Sequence, residues 1–400
     1  MRLLKDAYFI AVALNHLAVD VLNSQKAILL VFLAPSLDLS NADIGLAALI
    51  ISCFGSLTQP LFGLLADRFK TPWLSGGSLL WMAGWVAVAV SLPGRWPITA
   101  LIIGAFGSAA FHSAGTERAT TRGETLMVGR AATAASLFFL FGQAGLSFGP
   151  ALGGVLLQEL GARGVLVLTV VAVPVAMNSL HRLHWTARIA RSESDSPTPA
   201  IADAPGGFRT GKWVLVAFAL LVLLRTTPQI TSITFLPKLF QDRGYSPAAY
   251  GLIASVYMAG SALGGVTGGF LADRWGRRRT ILWTLLAAVV PMHYYPVAVG
   301  FILYPLVLLA GAFNGASHSV IVVLAHALLP RRRALASGLA LGFMFASGAF
   351  GSYIYGLVAD VYPLAAVMQT NGVLCLLAAM LSLTLRRDEA RGRVVAAGIG

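Results

Sequence analysis

The 400-residue sequence predicts an all-α polytopic membrane protein, with twelve transmembrane helices in two pseudo-symmetric six-helix bundles. Three observations carry that expectation. Hydrophobic residues make up 57% of the chain and charged residues only 11%. A soluble domain carries about 25% charged residues, so there is too little charge here to solvate a globular surface. Apolar runs of roughly 20 residues, the length that crosses a bilayer, recur along the whole chain. Finally, the stretch Gly269-Phe-Leu-Ala-Asp273-Arg274-Trp-Gly276-Arg277-Arg278-Arg279 echoes an earlier one, Gly63-Leu-Leu-Ala-Asp67-Arg68-Phe-Lys70. Asp67 and Asp273 lie 206 positions apart, and Gly45 with Gly251, Gly63 with Gly269 and Ala66 with Ala272 keep that offset. A repeat of half the chain, each copy closing an apolar run with an acid and a basic cluster, reads as a duplicated bundle.

The spans follow in order. The first, 7–34, starts after Lys5-Asp6 and runs too far, without a small-residue cleavage site, to be a removable signal. The second, 43–66, ends at Asp67-Arg68, and spans at 73–92 and 97–116 follow, the latter stopping before Glu117-Arg118. The fifth, 129–158, carries Gly145, Gly149 and Gly153 at intervals of four, a stripe on which another helix can pack closely. Pro150 beside it removes one helix hydrogen bond and permits a bend. The sixth, 161–183, completes an N-terminal bundle at 1–183. Residues 184–212 hold Ser-Glu-Ser-Asp-Ser-Pro-Thr-Pro and Ala-Pro-Gly-Gly and read as a cytoplasmic linker without a fold. The C-terminal bundle, 213–400 with a short tail, places spans at 213–238, 248–272, 279–298, 300–326, 333–358 and 362–385. All must be helices, because lipid cannot satisfy the backbone of an open strand.

Charge sets the orientation. With the N-terminus inside, 23 of the 29 Lys and Arg residues fall on the cytoplasmic side, and only Arg95, Arg163, Lys238 and Arg243 fall outside. Lys26 and Arg225 lie within spans. That asymmetry predicts an even number of spans with both termini cytoplasmic. The net charge of +13 therefore belongs to membrane topology and gives no reason to expect nucleic acid. Cys53 and Cys375 both sit in apolar runs and read as core residues, not as a disulfide or a zinc site.

Polar residues inside the spans are the candidate functional groups. His16, Asp20 and Asn23 share one face of the first helix, at spacings of four and three. Asp20 lies roughly 20 Å along it at about 1.5 Å per residue, where a carboxylate is either functional or a lock between helices. Arg225 occupies the equivalent depth in the seventh span, since the repeat offset carries Asp20 to position 226. It is either a counter-ion for Asp20 or a ligand for an anionic solute, for which a guanidinium is suited. His112 stands near the end of the fourth span, and Asn314 and His318 are four apart in the tenth. His16 with Asp20 could form a metal pair, but no third ligand follows at helical spacing, so no metal is expected.

The loop sequence at 269–279 and the stretch Gly145-x3-Gly149-Pro150-x2-Gly153-Gly154 together resemble the major facilitator superfamily of secondary transporters. Within it the chain is similar to the fosmidomycin-resistance group of bacterial efflux proteins. The cues are His16-Leu-x-x-Asp20, Gln59-Pro60, Phe111-His112, Leu224-Arg225, Phe235-Leu236-Pro237, Leu328-Leu329-Pro330, Ser337-Gly338 and Gly356-Leu-Val-Ala-Asp360. It departs from the group at Ser113-Ala114 and from the superfamily at Lys70. The resemblance implies a monomeric secondary transporter of the bacterial cytoplasmic membrane, not an enzyme, driven by a proton gradient and without a cofactor. It implies antiport of protons against a small anionic or zwitterionic compound or drug, with import of an organic anion as the rival. Asp20 and His16 would carry the proton. Arg225, Asn23, His112, Asn314 and His318 would bind substrate, and Asp67, Arg68, Asp273, Arg274 and Arg277 would act as conformational switches.

Overall fold

The computed structural model describes residues 3–69, 72–126, 131–193, 212–328 and 333–384, and among them no strand occurs. Thirteen α-helices follow one another: α1 (Ala7–Leu33), α2 (Asn41–Leu57), α3 (Gln59–Phe69), α4 (Gly76–Ala89), α5 (Trp96–Leu126), α6 (Ala131–Leu160) and α7 (Leu166–Glu193) in the first half. The second half holds α8 (Lys212–Asp242), α9 (Pro247–Trp275), α10 (Arg277–Tyr294), α11 (Leu303–Leu328), α12 (Arg333–Ala359) and α13 (Leu364–Ser382). Taking α2 and α3 as one pass, eleven of the described helices are long and apolar enough to cross a membrane, and α4 is a shorter apolar helix. Large apolar side chains such as Phe148, Val170, Val266 and Phe270 face outward, as lipid-contacting helices require.

Four differences from the expected spans are local. The second span breaks at Thr58, two residues before Pro60, whose ring and missing N–H oppose a continuous helix. The third span is divided between a 3-10 turn at Pro72–Leu74 and the 14 residues of α4. The fourth helix continues to Leu126, ten residues past the expected end, carrying exposed Glu117 with it. Likewise α7 runs to Glu193, into the segment read as linker, while 194–211, Lys70 and the side chain of Asp67 lie outside the described residues. Between α9 and α10 the chain turns at Gly276, whose φ of 86° favours glycine, with Asp273 and Arg274 exposed beside it.

Glycine decides which helices approach most closely. A Cβ on Gly145, Gly149 or Gly153 would overlap Leu17 O, Ser24 Oγ or the Gln25 amide, so α6 packs with its backbone against α1. Gln25 Nε2 donates to the Gly149 carbonyl across that seam. A second stripe, Gly260, Gly264 and Gly268 on α9, meets the carbonyls of Leu308, Ala312 and Ala316 on α11 in the same way. At one end of the bundle, Asp6 caps α1 by accepting from Phe9 N and is held by Arg122 of α5 at 2.6 Å. Burial works against the charged carboxyl, but the Arg122 guanidinium and the backbone N–H groups of Phe9 and Tyr8 outweigh it and hold Asp6 below its usual pKa. The contribution of this pair to stability is thus complete above the ordinary carboxylate pKa and is lost as pH falls through the lowered one.

At the opposite end the two halves meet. There α1, α6, α8 and α12 finish and α2 and α9 begin. Gln241 Nε2 donates to Val31 O at 2.8 Å, and Ala151 N donates to Ser255 Oγ at 2.8 Å beside Pro150. Gly154 and Gly251 pack backbone to backbone, as do Gly356 and Asn41. Asp360, just past α12, accepts from Asn41 N at 2.8 Å and Ala42 N at 3.1 Å. Ser40 takes the next N–H, from Asp43, and closes a capping box with it. A helix start leaves its first N–H groups unpaired and carries partial positive charge, so a carboxylate from the other half is a fitting partner.

Two outcomes follow. Gly149→Leu forces α1 and α6 apart and lowers the thermal unfolding midpoint in detergent, whereas Gly265→Leu, which meets open space, leaves it near that of the parent. Asp360→Ala removes two charge-assisted bonds at an exposed site, where solvent screening leaves each a modest contribution. It should widen the α2–α12 distance distribution in spin-label measurements by favouring separation at that end.

Candidate functional site

The candidate site begins on α1. Helical spacing sets His16, Asp20 and Asn23 on one face, and the fold brings α5 and α6 against it. His16 Nε2 lies 3.2 Å from Asp20 Oδ2, and His112 Nε2, from α5, lies 3.5 Å from Asp20 Oδ1. Asp20 and His16 are buried, while the His112 side chain keeps 24% of its exposure and opens the cluster to its surroundings. Gly142 of α6 closes the other side, since a Cβ there would press on His16 and Asp20.

The tautomers follow from the partners. His16 Nδ1 faces Phe138 O at 2.8 Å, and His112 Nδ1 faces Ser108 O at 2.8 Å. A carbonyl only accepts, so each Nδ1 carries a proton and each ring turns Nε2 toward the carboxylate. With neither Nε2 protonated, two lone pairs would face an anion. An attractive arrangement therefore needs at least one proton held among His16, Asp20 and His112. Their ligand atoms lie within 4.8 Å of one another. His112 thus supplies, from another helix, the third group whose absence led the sequence reading to set a metal pair aside.

Asn23 extends the cluster. Its Nδ2 donates to Asp20 Oδ1 at 2.9 Å and to Ser108 Oγ at 2.8 Å, while its Oδ1 accepts from Lys26 Nζ at 2.8 Å. The amide presents its donor end to the anion and its acceptor end to the cation. Lys26 is itself 8% exposed, so a buried cation and a buried carboxylate are joined through one neutral side chain.

Arg225 forms the second cluster, in the other half. Its side chain is fully buried, and Nε donates to Ser317 Oγ at 2.8 Å. Nη1 donates to Gln229 Oε1 at 2.7 Å and to His318 Nδ1 at 3.4 Å, and Nη2 donates to Asn314 O at 2.9 Å. Asn314 returns a bond from Nδ2 to Arg225 O at 3.3 Å. All these partners belong to the C-terminal half. Asp20 and Arg225 therefore do not pair in this conformation, and neither lies bare on an open cleft: each is packed into its own half.

Of the residues selected from sequence, the fold brings His16, Asp20, Asn23 and His112 into one cluster and Arg225, Asn314 and His318 into another. Asp273, Arg274 and Arg277 sit apart, at the α9–α10 turn. Lys26, Ser108, Gln229, Ser317 and Asp360 went unselected. Helical spacing could have found two of them, because Lys26 is three residues past Asn23 and Gln229 four past Arg225. Asp360 ends Gly356-Leu-Val-Ala-Asp360, a third copy of the Gly-x-x-Ala-Asp pattern.

The comparisons with known proteins agree with this architecture. A sequence model described as the Major Facilitator Superfamily matches residues 8–230 and 214–399. The chain is 29% identical over 391 residues to the fosmidomycin resistance protein of Escherichia coli (strain K12), covering 91% of this chain and 90% of that protein. It is 30% identical over 190 residues to a gallate transporter of Pseudomonas putida, covering 45% of this chain and 41% of that one. A solved nucleoside transporter superposes with a TM-score of 0.73 at 16% identity, covering 95% of this chain and 100% of its own, which speaks to the fold alone.

Replacing Asn23 by Leu leaves Asp20, Ser108 and Lys26 without their shared partner. At about 1–3 kcal/mol for each buried group left unsatisfied, Asn23→Leu should lower the unfolding midpoint in detergent by several degrees, and an unchanged midpoint would contradict the amide's bridging role.

Proposed function

The chain belongs to the Major Facilitator Superfamily of membrane transporters, and we propose that it is a monomeric proton-coupled antiporter. It exports a small anionic or zwitterionic organic compound by alternating access across the bacterial cytoplasmic membrane. The observation that carries this reading is the His16–Asp20–His112 cluster, a buried group that needs a proton to be attractive. The lysine-balanced carboxylate lies within one half, and Arg225, whose partners among the described residues are all neutral, lies within the other. A proton held in the first and an anion held beside the second bias the same rocking motion of the two halves.

Coupling requires that proton and solute each favour one conformation differently. With both termini cytoplasmic, the end closed by Asp360, Gln241 and Gly154 faces outward. The described arrangement then corresponds to an inward-open state. Opening the outer end would break the Asp360–Asn41 contacts and give the proton site access to the outside. Asp67, Arg68, Asp273, Arg274 and Arg277 would stabilise that second state from the cytoplasmic side. The resemblance of the α6 glycine–proline pattern to exporters and the similarity to the fosmidomycin resistance protein favour export. The likeness to a gallate transporter keeps proton-coupled import of an organic anion as the second reading.

The decisive experiment uses oriented proteoliposomes with fosmidomycin and gallate as test solutes. Under an imposed pH gradient the unsubstituted protein moves solute with a coupled proton flux that persists in a metal chelator. Asp20→Asn, which is expected to fold and insert normally, loses gradient-driven transport by at least tenfold but keeps solute exchange. Full pH-driven transport by Asp20→Asn would remove the cluster from the mechanism, and the sign of the proton flux separates export from import.

A further inference from the structure

We infer that Arg225 is a positioning residue whose guanidinium orients Gln229 and His318 so that both present N–H donors, building a subsite for an oxyanion such as a carboxylate or phosphonate. The inference deepens the transporter reading above and rests on it for the identity of the site as a place where solute binds.

The argument starts from what an arginine can do. Its five N–H groups only donate. Nη1 faces Gln229 Oε1 at 2.7 Å and His318 Nδ1 at 3.4 Å. Gln229 must therefore turn its carbonyl to Arg225 and its NH2 away, where Ser261 Oγ lies at a long 3.4 Å. His318 must accept at Nδ1, which places its proton on Nε2. That Nε2–H has no hydrogen-bond partner among the described residues, and both His318 and Gln229 are only half-buried. Arg225 itself is fully buried behind them. Of these three side chains, the glutamine and the histidine are the ones that a solute can touch in this conformation.

Two further observations point to an anion. The partners of Arg225 among the described residues are Ser317, Gln229, His318 and the Asn314 carbonyl, all neutral. A cation removed from water with no acid beside it leaves a positive field that an incoming anion would balance. The second is the contrast with the other half. His16 and His112 are fixed by carbonyls with Nε2 toward an acid, a proton-accepting arrangement, whereas His318 is fixed by a donor and presents Nε2–H. Protonating His318 would set its cation against Arg225. The two halves thus divide the work: the histidines of the first can take up a proton, and the histidine of the second can only give a hydrogen bond.

The test is 15N-imidazole spectroscopy of the full chain in lipid nanodiscs, each resonance assigned by loss in a single His→Gln variant. His318 should show the Nε2–H tautomer and His16 the Nδ1–H form. Benzoate and methylphosphonate should move the His318 Nε2–H signal, and choline should not. Gln229→Glu keeps an oxygen for Arg225 but replaces the donor with a carboxylate, so it should weaken benzoate binding at least tenfold in a folded protein. Arg225→Lys keeps the charge but not the fork, and should lose both the single tautomer and the affinity. His318 found as Nδ1–H, or benzoate affinity unchanged in Gln229→Glu and Arg225→Lys, overturns the inference. An unmoved His318 signal in a protein that still shows proton-driven transport sinks the subsite and spares the transporter reading. A moved signal without transport does the reverse.

Discussion

A charge inside an apolar bundle must be hydrogen-bonded or balanced, and the arrangement of this protein depends on how that is met at Asp20 and Arg225. Neither charge is met by the other. Asp20 is surrounded by His16, His112 and Asn23, and the neutral amide of Asn23 bridges it to Lys26. Arg225 is surrounded by neutral acceptors. Each half solves its own charge problem, so the halves can move against one another without tearing a buried ion pair apart. A permanent Asp20–Arg225 pair would resist that motion, because separating it would leave two uncompensated buried charges.

What joins the halves is of a different kind. The contacts at the closed end are backbone packing at Gly154–Gly251 and Gly356–Asn41, single hydrogen bonds from Gln241 and Ala151, and the Asp360 carboxylate on the start of α2. Several are made to backbone groups that water can also satisfy once the end opens. Within each half, α1 on α6 and α9 on α11 repeat such backbone packing at successive glycines along the seam, Gly145, Gly149 and Gly153 in one and Gly260, Gly264 and Gly268 in the other. Close packing of this sort is lost steeply with distance, which suits helices that move as one body. Repeated glycine packing along the seams inside each half, with single hydrogen bonds joining the halves, is what two bodies moving against one another would require.

Much of the fold was legible in the sequence because the bilayer imposes a simple rule. A run of about 20 apolar residues must be helical in lipid, so the order of the passes could be read by composition alone. Where the reading missed, the cause was local. Pro60 split the second pass at Thr58, and α5 and α7 continued past the apolar boundary to Leu126 and Glu193 because helices do not stop where hydrophobicity does. Helical spacing likewise showed His16 with Asp20, and Asn314 with His318, on shared faces, since residues four apart on a helix always lie together.

The sequence by itself determined the class of protein, the internal repeat and the identity of the buried charges, because each of these is a property of composition or of spacing along one helix. Tertiary structure alone decided the partners. His112 reaches Asp20 from 92 positions away, Ser108 reaches Asn23 from 85, and Ser317 reaches Arg225 from 92, all across seams between different helices. Only three-dimensional packing could reveal that Asp20 and Arg225 do not pair but take separate partners, each from its own half. The sequence offset matched their depth along the bundle, but depth carries no information about the direction in which a side chain points.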